Sequence, residues 1–242
     1  MKKKNIIITG ATSGIGKALA KFYSKSNHSL VLTGSSEKKL KFLSKEINSK
    51  NNFYLKADLT KPKDIKSLVS FALNKLDQID ILVANAGIYE PSEIISGDPN
   101  KWDRVIQVNV NSVFRIVNLI LPNMVKNNLG DILILSSISG HQAIRWEPVY
   151  SATKHAIQSF AHGLRTQVAK HNIRVISIAP GVVLTELWGY DEKKDKKIIE
   201  QKVKKGDALQ TKDVVNSINF ALNQPRNVTI RDLVLLPRNQ DL

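Results

Sequence analysis

Tyr150 and Lys154 are the two residues whose types and spacing most directly suggest chemistry. They are four residues apart in a segment with a helical pattern, so both side chains lie on one face of the predicted helix. An unperturbed tyrosine has a pKa of about 10, and a neighbouring ammonium favours the phenolate, which suits the group to proton transfer near neutral pH. Taken alone, the pair is more typical of an aromatic–cation contact on a protein surface.

A glycine-rich turn near the start of the chain is a second candidate site. It consists of Thr9, Gly10, Ala11, Thr12, Ser13, Gly14, Ile15 and Gly16. A turn between a strand and a helix presents unpaired backbone N–H groups to a pyrophosphate, although glycines there also serve turn geometry alone. A P-loop is excluded because Ala11 stands where that motif needs glycine and Ala18 lacks a hydroxyl, so kinase and ATPase chemistry is not favoured.

Two further motifs follow predicted strands. Asp58 and Leu59 come after the third strand, and Asn85-Ala86-Gly87 comes after the fourth. Open α/β sheets bind ligands at the carboxyl ends of their parallel strands, where both motifs are expected to lie. Each motif has a plain alternative as a helix cap or a turn.

The elements that must position these residues alternate along the chain. Short β-branched runs predict strands at Ile6–Thr9, Leu30–Thr33, Phe53–Lys56, Ile81–Ala84, Ile132–Leu135, Val175–Ile178 and Leu233–Leu236. Amphipathic stretches between them predict helices, among them Gly16–Ser26, Asp64–Leu76 and a longer one, Trp102–Asn127, interrupted by Pro122. This alternation predicts an α/β fold with a doubly wound parallel sheet of about seven strands and helices on both faces.

The chain of 242 residues contains no linker, repeat or low-complexity block, which favours a single domain over residues 1–242. One polar segment, Trp188 to Gly206, fits the alternation poorly and predicts an excursion that carries a charged helix. We expect a mobile substrate loop over about 182–207 beside a ligand crevice.

Composition excludes several classes of site. The chain has no cysteine and its five histidines lack metal-ligand spacing, so no metal is expected. The net charge of +15 comes from lysines scattered along helical segments, which is more typical of a solvated surface than of a nucleic-acid interface. The chain begins with lysines after Met1, as a signal peptide does, but only Ile6–Ile8 follow them, which is too short for the apolar region of such a peptide. No run of about 18 apolar residues occurs elsewhere, so we expect a cytoplasmic protein with no membrane partner.

Together, the motifs resemble the short-chain dehydrogenase/reductase family. The residues that carry the resemblance are the turn Thr9–Gly16, Asn85-Ala86-Gly87, Asn109, Ser137, Tyr150 with Lys154, and Pro180-Gly181 followed by Thr185. They occur in order and at family spacing along essentially the whole chain. The resemblance implies a Rossmann-type fold and an oxidoreductase that uses NAD(P).

The resemblance also implies roles for individual residues. Tyr150 would exchange a proton with the substrate oxygen, Lys154 would also hold the nicotinamide ribose, and Asn109 would keep a water linked to the lysine. Ser137 would hydrogen-bond the reacting oxygen, with Ser136 and Ser139 as close competitors. Implied cofactor contacts are the turn residues Gly10, Thr12, Ser13, Gly14, Ile15 and Gly16, then Gly34, Ser35, Asp58, Leu59, Asn85, Ala86, Gly87, Tyr150, Lys154, Pro180, Gly181, Val183 and Thr185.

The end of the second strand bears on the choice of cofactor. Relatives that prefer NAD usually carry an aspartate there, but this sequence has Gly34 and Ser35, followed by Lys38 and Lys39. Nearby positive charge without a carboxylate favours NADP(H) over NAD(H).

The substrate is indicated by weaker likenesses. Segments Trp146–Tyr150, Gly97–Arg104 and Asn227–Leu242 look most like the ribitol 2-dehydrogenase branch, which suggests a polyol or ketose. A 3-hydroxy acid dehydrogenase is an alternative, in which Arg145 would bind a carboxylate. Trp146 and Trp188 fit either a substrate contact or core packing.

Two other classes of function compete with catalysis. A catalytically silent dinucleotide-binding regulator would have the same fold, and the basic charge would suit a nucleic-acid binder. Serine hydrolysis is disfavoured because no Gly-x-Ser-x-Gly elbow occurs. The family resemblance further implies a homo-oligomer, a tetramer or dimer, in which helices at Trp102–Asn127 and Val149–Lys170 pair between subunits.

Overall fold

The computed structural model describes residues 3–47 and 49–241 as an α/β domain. Met1, Lys2, Asn48 and Leu242, which include both ends of the predicted domain, lie outside the described residues. The sheet has seven strands, which are β1 (Asn5–Ile8), β2 (Ser29–Gly34), β3 (Asn52–Lys56), β4 (Ile81–Ala84), β5 (Gly130–Leu135), β6 (Ile173–Pro180) and β7 (Asp232–Leu235). All seven predicted strands are present, with ends shifted by at most two residues.

The strands are parallel and lie in the order β3-β2-β1-β4-β5-β6-β7. The chain starts at β1, builds one half of the sheet through β3, and then crosses to β4 on the other side of β1. This order confirms the predicted doubly wound, Rossmann-type fold. The strand order reverses between β1 and β4, and the carboxyl ends of these strands border the crevice where such sheets bind ligands.

Helices cover both faces of the sheet. They are α1 (Gly14–Ser24), α2 (Glu37–Glu46), α3 (Pro62–Leu76), α4 (Pro99–Ile106), α5 (Ser112–Lys126), α6 (Pro148–Val168), α7 (Lys196–Lys205) and α8 (Thr211–Leu222). The π-helical turn Gln107–Asn111 joins α4 to α5, so the predicted long helix is one continuous stretch. Pro122 lies within α5 without ending it.

Two apolar layers hold the helices to the sheet because successive strand residues point to opposite faces. Ile7 lies in the layer covered by α3, α5 and α6, whereas Ile6 and Ile8 lie in the layer covered by α1 and α8. All three isoleucines are fully buried. Strands buried on both faces are near-continuous apolar runs, which explains why the sequence marked them clearly.

The stretch Pro99–Lys126 is long and apolar enough to cross a membrane, with an 18-residue window of mean hydropathy 1.3. It contains most of the long helix predicted at Trp102–Asn127, a segment without an unbroken run of about 18 apolar residues. Ile116, Val117, Ile120 and Met124 from this stretch are buried in the layer beneath the sheet. Core packing therefore accounts for the buried part of this stretch, which is 39% of that window.

The segment between β6 and α8, which includes the polar excursion, leaves the sheet and returns to it at α8. It contains a 3₁₀ turn at Glu186–Trp188 and the charged helix α7, none of whose residues is buried. Val183 pairs with Leu209 in an isolated bridge that closes the excursion at its base.

Candidate active site

A cavity of about 300 Å³ opens at the carboxyl ends of the central strands. The predicted site residues that line it are Gly10, Ser13, Gly14, Ile15, Asn85, Ala86, Gly87, Ser137, Tyr150, Lys154, Pro180, Gly181, Val183 and Thr185. Residues more than 170 positions apart in the chain therefore meet around one space. The crossing of the chain between β1 and β4 brings them together.

Other predicted residues lie outside the lining, which does not include Thr12, Gly16, Gly34, Ser35, Asp58, Leu59 or Asn109. Asp58 accepts hydrogen bonds from the backbone and hydroxyl of Thr60, and these bonds hold the pKa of its carboxyl low. Leu59 is buried in the core layer beside α3.

The glycine-rich turn is braced by side chains from both strands at the switch point. The Thr9 hydroxyl accepts hydrogen bonds from the backbone N–H groups of Asn85 and Ala86, each at 3.0 Å. The Asn85 side chain in turn donates to the carbonyl oxygens of Thr9 and Gly10. A Cβ on Gly16 would lie 2.2 Å from the Gly10 carbonyl oxygen, so only glycine fits there.

The backbone N–H of Gly14, at the start of α1, donates a hydrogen bond to the Glu186 carboxylate at 2.9 Å. The positive end of α1 thus already faces an anion, as expected of a helix start after a glycine turn. The residues of this turn fit a dinucleotide pyrophosphate because they offer N–H groups to an oxyanion at the edge of the cavity. Sequence reasoning missed Glu186, which follows the predicted cofactor residue Thr185.

Tyr150 and Lys154 lie on the buried face of α6, as predicted from their spacing. The Lys154 ammonium donates to the Leu135 carbonyl at 3.0 Å and lies 5.5 Å from the centroid of the Tyr150 ring. Its two other ammonium protons have no acceptor among the described residues and can serve a ribose hydroxyl or a water. Burial lowers the pKa of Lys154 to about 8 because the charged form is desolvated.

The pKa of Tyr150 shifts in the opposite direction to the one expected from its lysine neighbour. Burial raises this pKa, the charge of Glu147 raises it further, and the neighbouring Ser137 side chain acts to lower it. The expectation considered only the two residues on one helix face. In this cavity the direction of the shift follows burial and the charge of Glu147, which the spacing of Tyr150 and Lys154 does not reveal.

Ser137 begins a chain of hydroxyl groups along one wall of the cavity. Its hydroxyl donates to Ser139 at 3.1 Å, and the Ser139 hydroxyl donates to the Glu147 carboxylate at 2.6 Å. Ser136, the other candidate, is buried and its hydroxyl has no hydrogen-bond partner among the described residues. Ser137 lines the cavity together with Tyr150, and it acts to lower the pKa of that tyrosine, which places its hydroxyl beside the acid–base group.

Asn109 lies in the π-helical turn and is 1% exposed, which distinguishes it from an ordinary surface asparagine. Its side chain accepts from the backbone N–H of Ile88 and donates to the carbonyl of the same residue, both at 2.9 Å. It also donates to the Thr153 hydroxyl at 3.3 Å, next to Lys154. Asn109 therefore ties the segment after β4 to α6, and π-helical turns of this kind are frequent at functional sites.

Aromatic side chains border the open side of the cavity. The ring of Tyr89 lies edge-on to Tyr150 and tilted against Trp188, with centroids 4.9 Å apart in both pairs. Trp146 and Trp188 both line the cavity and are part-exposed, so neither belongs to the core. Arg145 is exposed and outside the lining.

Comparison with known proteins agrees with this architecture. A family model described as short chain dehydrogenase matches residues 4–196. An uncharacterized oxidoreductase of Staphylococcus saprophyticus is 31% identical over 245 residues, which cover 100% of this chain and 99% of the relative. The solved structure of a serine dehydrogenase complexed with NADP+ is similar at a TM-score of 0.88 and 27% identity, covering 98% of this chain and 96% of that one. The structure of serine dehydrogenase from Escherichia coli is similar at a TM-score of 0.85 and 26% identity, covering 98% of this chain and 99% of that one.

The fold, the cavity and these matches together define a dinucleotide-dependent dehydrogenase. The chain belongs to the short-chain dehydrogenase family, and it is an NAD(P)-dependent oxidoreductase.

Proposed function

We propose that the protein transfers a hydride between NADP(H) and a secondary alcohol or ketone with a polyol or sugar-like skeleton. The observation that carries the proposal is the convergence of Tyr150, Ser137 and Lys154 on one cavity beside the glycine-rich turn. A silent regulator would not need a buried acid–base tyrosine and a buried lysine at the same site.

In the proposed reaction, Tyr150 exchanges a proton with the substrate oxygen, and Ser137 hydrogen-bonds that oxygen while charge develops on it. Lys154, held by the Leu135 carbonyl, directs its remaining protons to the nicotinamide ribose and to solvent. Asn109 positions the helix that carries both residues through Thr153. A bound nicotinamide accepts or supplies the hydride.

Preference for NADP(H) is supported by the end of β2. Gly34 provides no carboxylate to repel a 2′-phosphate, and Lys38 and Lys39 are exposed at the start of α2. The related serine dehydrogenase structure is a complex with NADP+. Replacing both lysines with alanine should raise the KM for NADP about tenfold and leave that for NAD unchanged. Lys45→Ala, at the exposed far end of α2, is the matched control, and a preference for NAD in the wild type would contradict the assignment.

A polyhydroxylated substrate is supported by the polar wall of the cavity. Ser137, Ser139 and Glu147 offer hydroxyl and carboxylate groups, and Trp146 and Trp188 offer flat apolar surface. The hydroxy-acid alternative depended on Arg145, whose position outside the lining gives it no support.

The direct test is absorbance-monitored oxidation of a panel of polyols and hydroxy acids with NADP and NAD, using wild type and Tyr150→Phe. We expect Tyr150→Phe to reduce turnover by at least about a hundredfold while cofactor binding persists. Turnover that survives Tyr150→Phe would contradict the assigned acid–base role. Binding of cofactor with no turnover of any alcohol would favour the regulator.

We further infer that the protein is a homo-oligomer that pairs through α4, α5 and α6. Ile106 and Phe114 are exposed apolar residues on these helices, and the rings of Phe114 in α5 and Phe160 in α6 pack in a tilted arrangement with centroids 4.4 Å apart. An apolar patch on two neighbouring helices is typical of a surface buried between subunits.

A further inference from the structure

Glu147 is a buried carboxylate that the proposed reaction does not use. It occupies the N-cap position of α6 but makes no capping hydrogen bond with its side chain. Only 2% of its surface is exposed, and it lines the cavity three residues before Tyr150. A glutamate at a helix start that neither caps the helix nor reaches bulk solvent is oriented toward the cavity instead.

The partners of Glu147 leave its charge incompletely compensated. Ser139 donates to one carboxylate oxygen at 2.6 Å. Burial and the neighbouring Glu147 raise the pKa of Tyr89, which keeps the Tyr89 phenol protonated near this carboxylate. Within the described residues, no lysine, arginine or histidine nitrogen lies within 4.0 Å of this carboxylate.

A carboxylate accepts about four hydrogen bonds, and a buried charge is costly unless donors satisfy it. The one hydrogen bond that the described residues donate to the Glu147 carboxylate, from Ser139, therefore leaves acceptor capacity on the wall of the cavity.

The Glu147 carboxylate is connected to both residues that would hold the reacting oxygen. Ser139 joins Glu147 to Ser137, and the charge of Glu147 acts on Tyr150. A substrate oxygen held by Ser137 and Tyr150 would therefore place the neighbouring carbon and its substituent near Glu147.

We propose that Glu147 selects substrates with a second hydroxyl group on the carbon next to the reacting carbon, by accepting a hydrogen bond from that hydroxyl. This inference rests on the proposed function, since it assumes that Tyr150 and Ser137 hold the reacting oxygen. A hydroxyl is chosen as the donor because the polyol or sugar-like substrate of the proposed function carries hydroxyl groups next to the reacting carbon.

The test compares 2,3-butanediol with 2-butanol, which differ by the one hydroxyl in question. Both are oxidised with NADP by wild type, Glu147→Gln and Glu192→Gln. Glu192→Gln removes an equal charge at an exposed position in the excursion. We expect Glu147→Gln to lower kcat/KM for the diol between about tenfold and a hundredfold relative to 2-butanol, because the hydrogen bond to a charged acceptor is lost. Glu192→Gln should leave the ratio unchanged.

Each other outcome has a distinct meaning. Equal losses on both alcohols would overturn the proposal, because Glu147 would then act through Ser139 or Tyr150 and not on the substrate. An unchanged ratio would overturn it too. A wild-type preference for 3-amino-2-butanol over the diol, lost in Glu147→Gln, would replace hydroxyl selection with ammonium selection. Failure of the proposed function would give a different result. The wild type would then oxidise neither alcohol, or turnover would survive the Tyr150→Phe substitution.

Discussion

The Glu186 carboxylate accepts a hydrogen bond from the Gly14 backbone N–H at 2.9 Å, although the two residues lie 172 positions apart. This contact fastens the excursion after β6 to the turn that would hold the pyrophosphate. The carboxylate and a phosphate oxygen would both bind at the positive N-terminal end of α1, so they would compete for it.

Glu186→Gln should therefore strengthen dinucleotide binding. A neutral amide oxygen competes less well for the Gly14 N–H, so we expect Kd for NADPH to fall about two- to fivefold. Isothermal titration calorimetry measures this directly. Glu192→Gln, in the same excursion, should leave Kd as it is; weaker binding in Glu186→Gln would mean that the carboxylate supports the bound state.

Lys154→Met should abolish turnover and yet stabilise the folded protein at pH 7. The fold lowers the pKa of Lys154 from 10.5 to about 8, so between these values the unfolded state binds more protons and wild-type stability rises with pH. A shift of this size corresponds to about 3 kcal/mol, or roughly 5–10 °C in Tm.

Thermal unfolding between pH 7 and 10.5 checks this prediction. The stability advantage of Lys154→Met over wild type should shrink as pH rises through that window. Lys212→Met, on the exposed side of α8, should show no such trend. A constant difference across the range would mean that the ammonium is not desolvated in the folded protein.

Gly16 and Gly163 should respond in opposite ways to alanine. The new Cβ at Gly16 would lie 2.2 Å from a carbonyl oxygen, whereas nothing lies within 4 Å of the same atom at Gly163 in α6. We expect Gly16→Ala to cost about 1–3 kcal/mol or more, and Gly163→Ala to gain about 0.5–1 kcal/mol from helix propensity. Urea unfolding measures the free energy of unfolding of both variants. Equal values for the two variants would contradict the close packing of the turn.

Phe114→Asp should weaken subunit pairing. A charge at the centre of the apolar face on α5 would be desolvated in an interface, so a smaller species should appear in sedimentation velocity at micromolar concentration. Phe42→Asp is the control, because Phe42 lies in α2 and is 59% exposed. This variant should sediment as the wild type does. Wild type sedimenting at the monomer mass of 27.0 kDa would remove the oligomer proposal.

The strands and the glycine-rich turn were predictable because each depends on local pattern. Ile6–Ile8 must be buried on both faces of a parallel strand, and the turn directly follows. The spacing of Tyr150 and Lys154 likewise fixed their common helix face.

The electrostatics of the site were not predictable from the sequence. The raised pKa of Tyr150 depends on burial and on the orientation of Glu147, which Ser139 sets from a different segment. Tyr89 and Trp188 join the site through contacts between segments about a hundred residues apart, which no local spacing encodes.

The packing of Gly34 against Thr12 constrains how this enzyme could change its cofactor. A Cβ at Gly34 would lie 2.7 Å from the Thr12 methyl carbon and 2.8 Å from its hydroxyl oxygen. An aspartate at position 34 therefore requires the Thr12 side chain to shift or to be replaced. A library that varies positions 12 and 34 together should consequently yield more folded variants with a carboxylate at this strand end than one that varies position 34 alone.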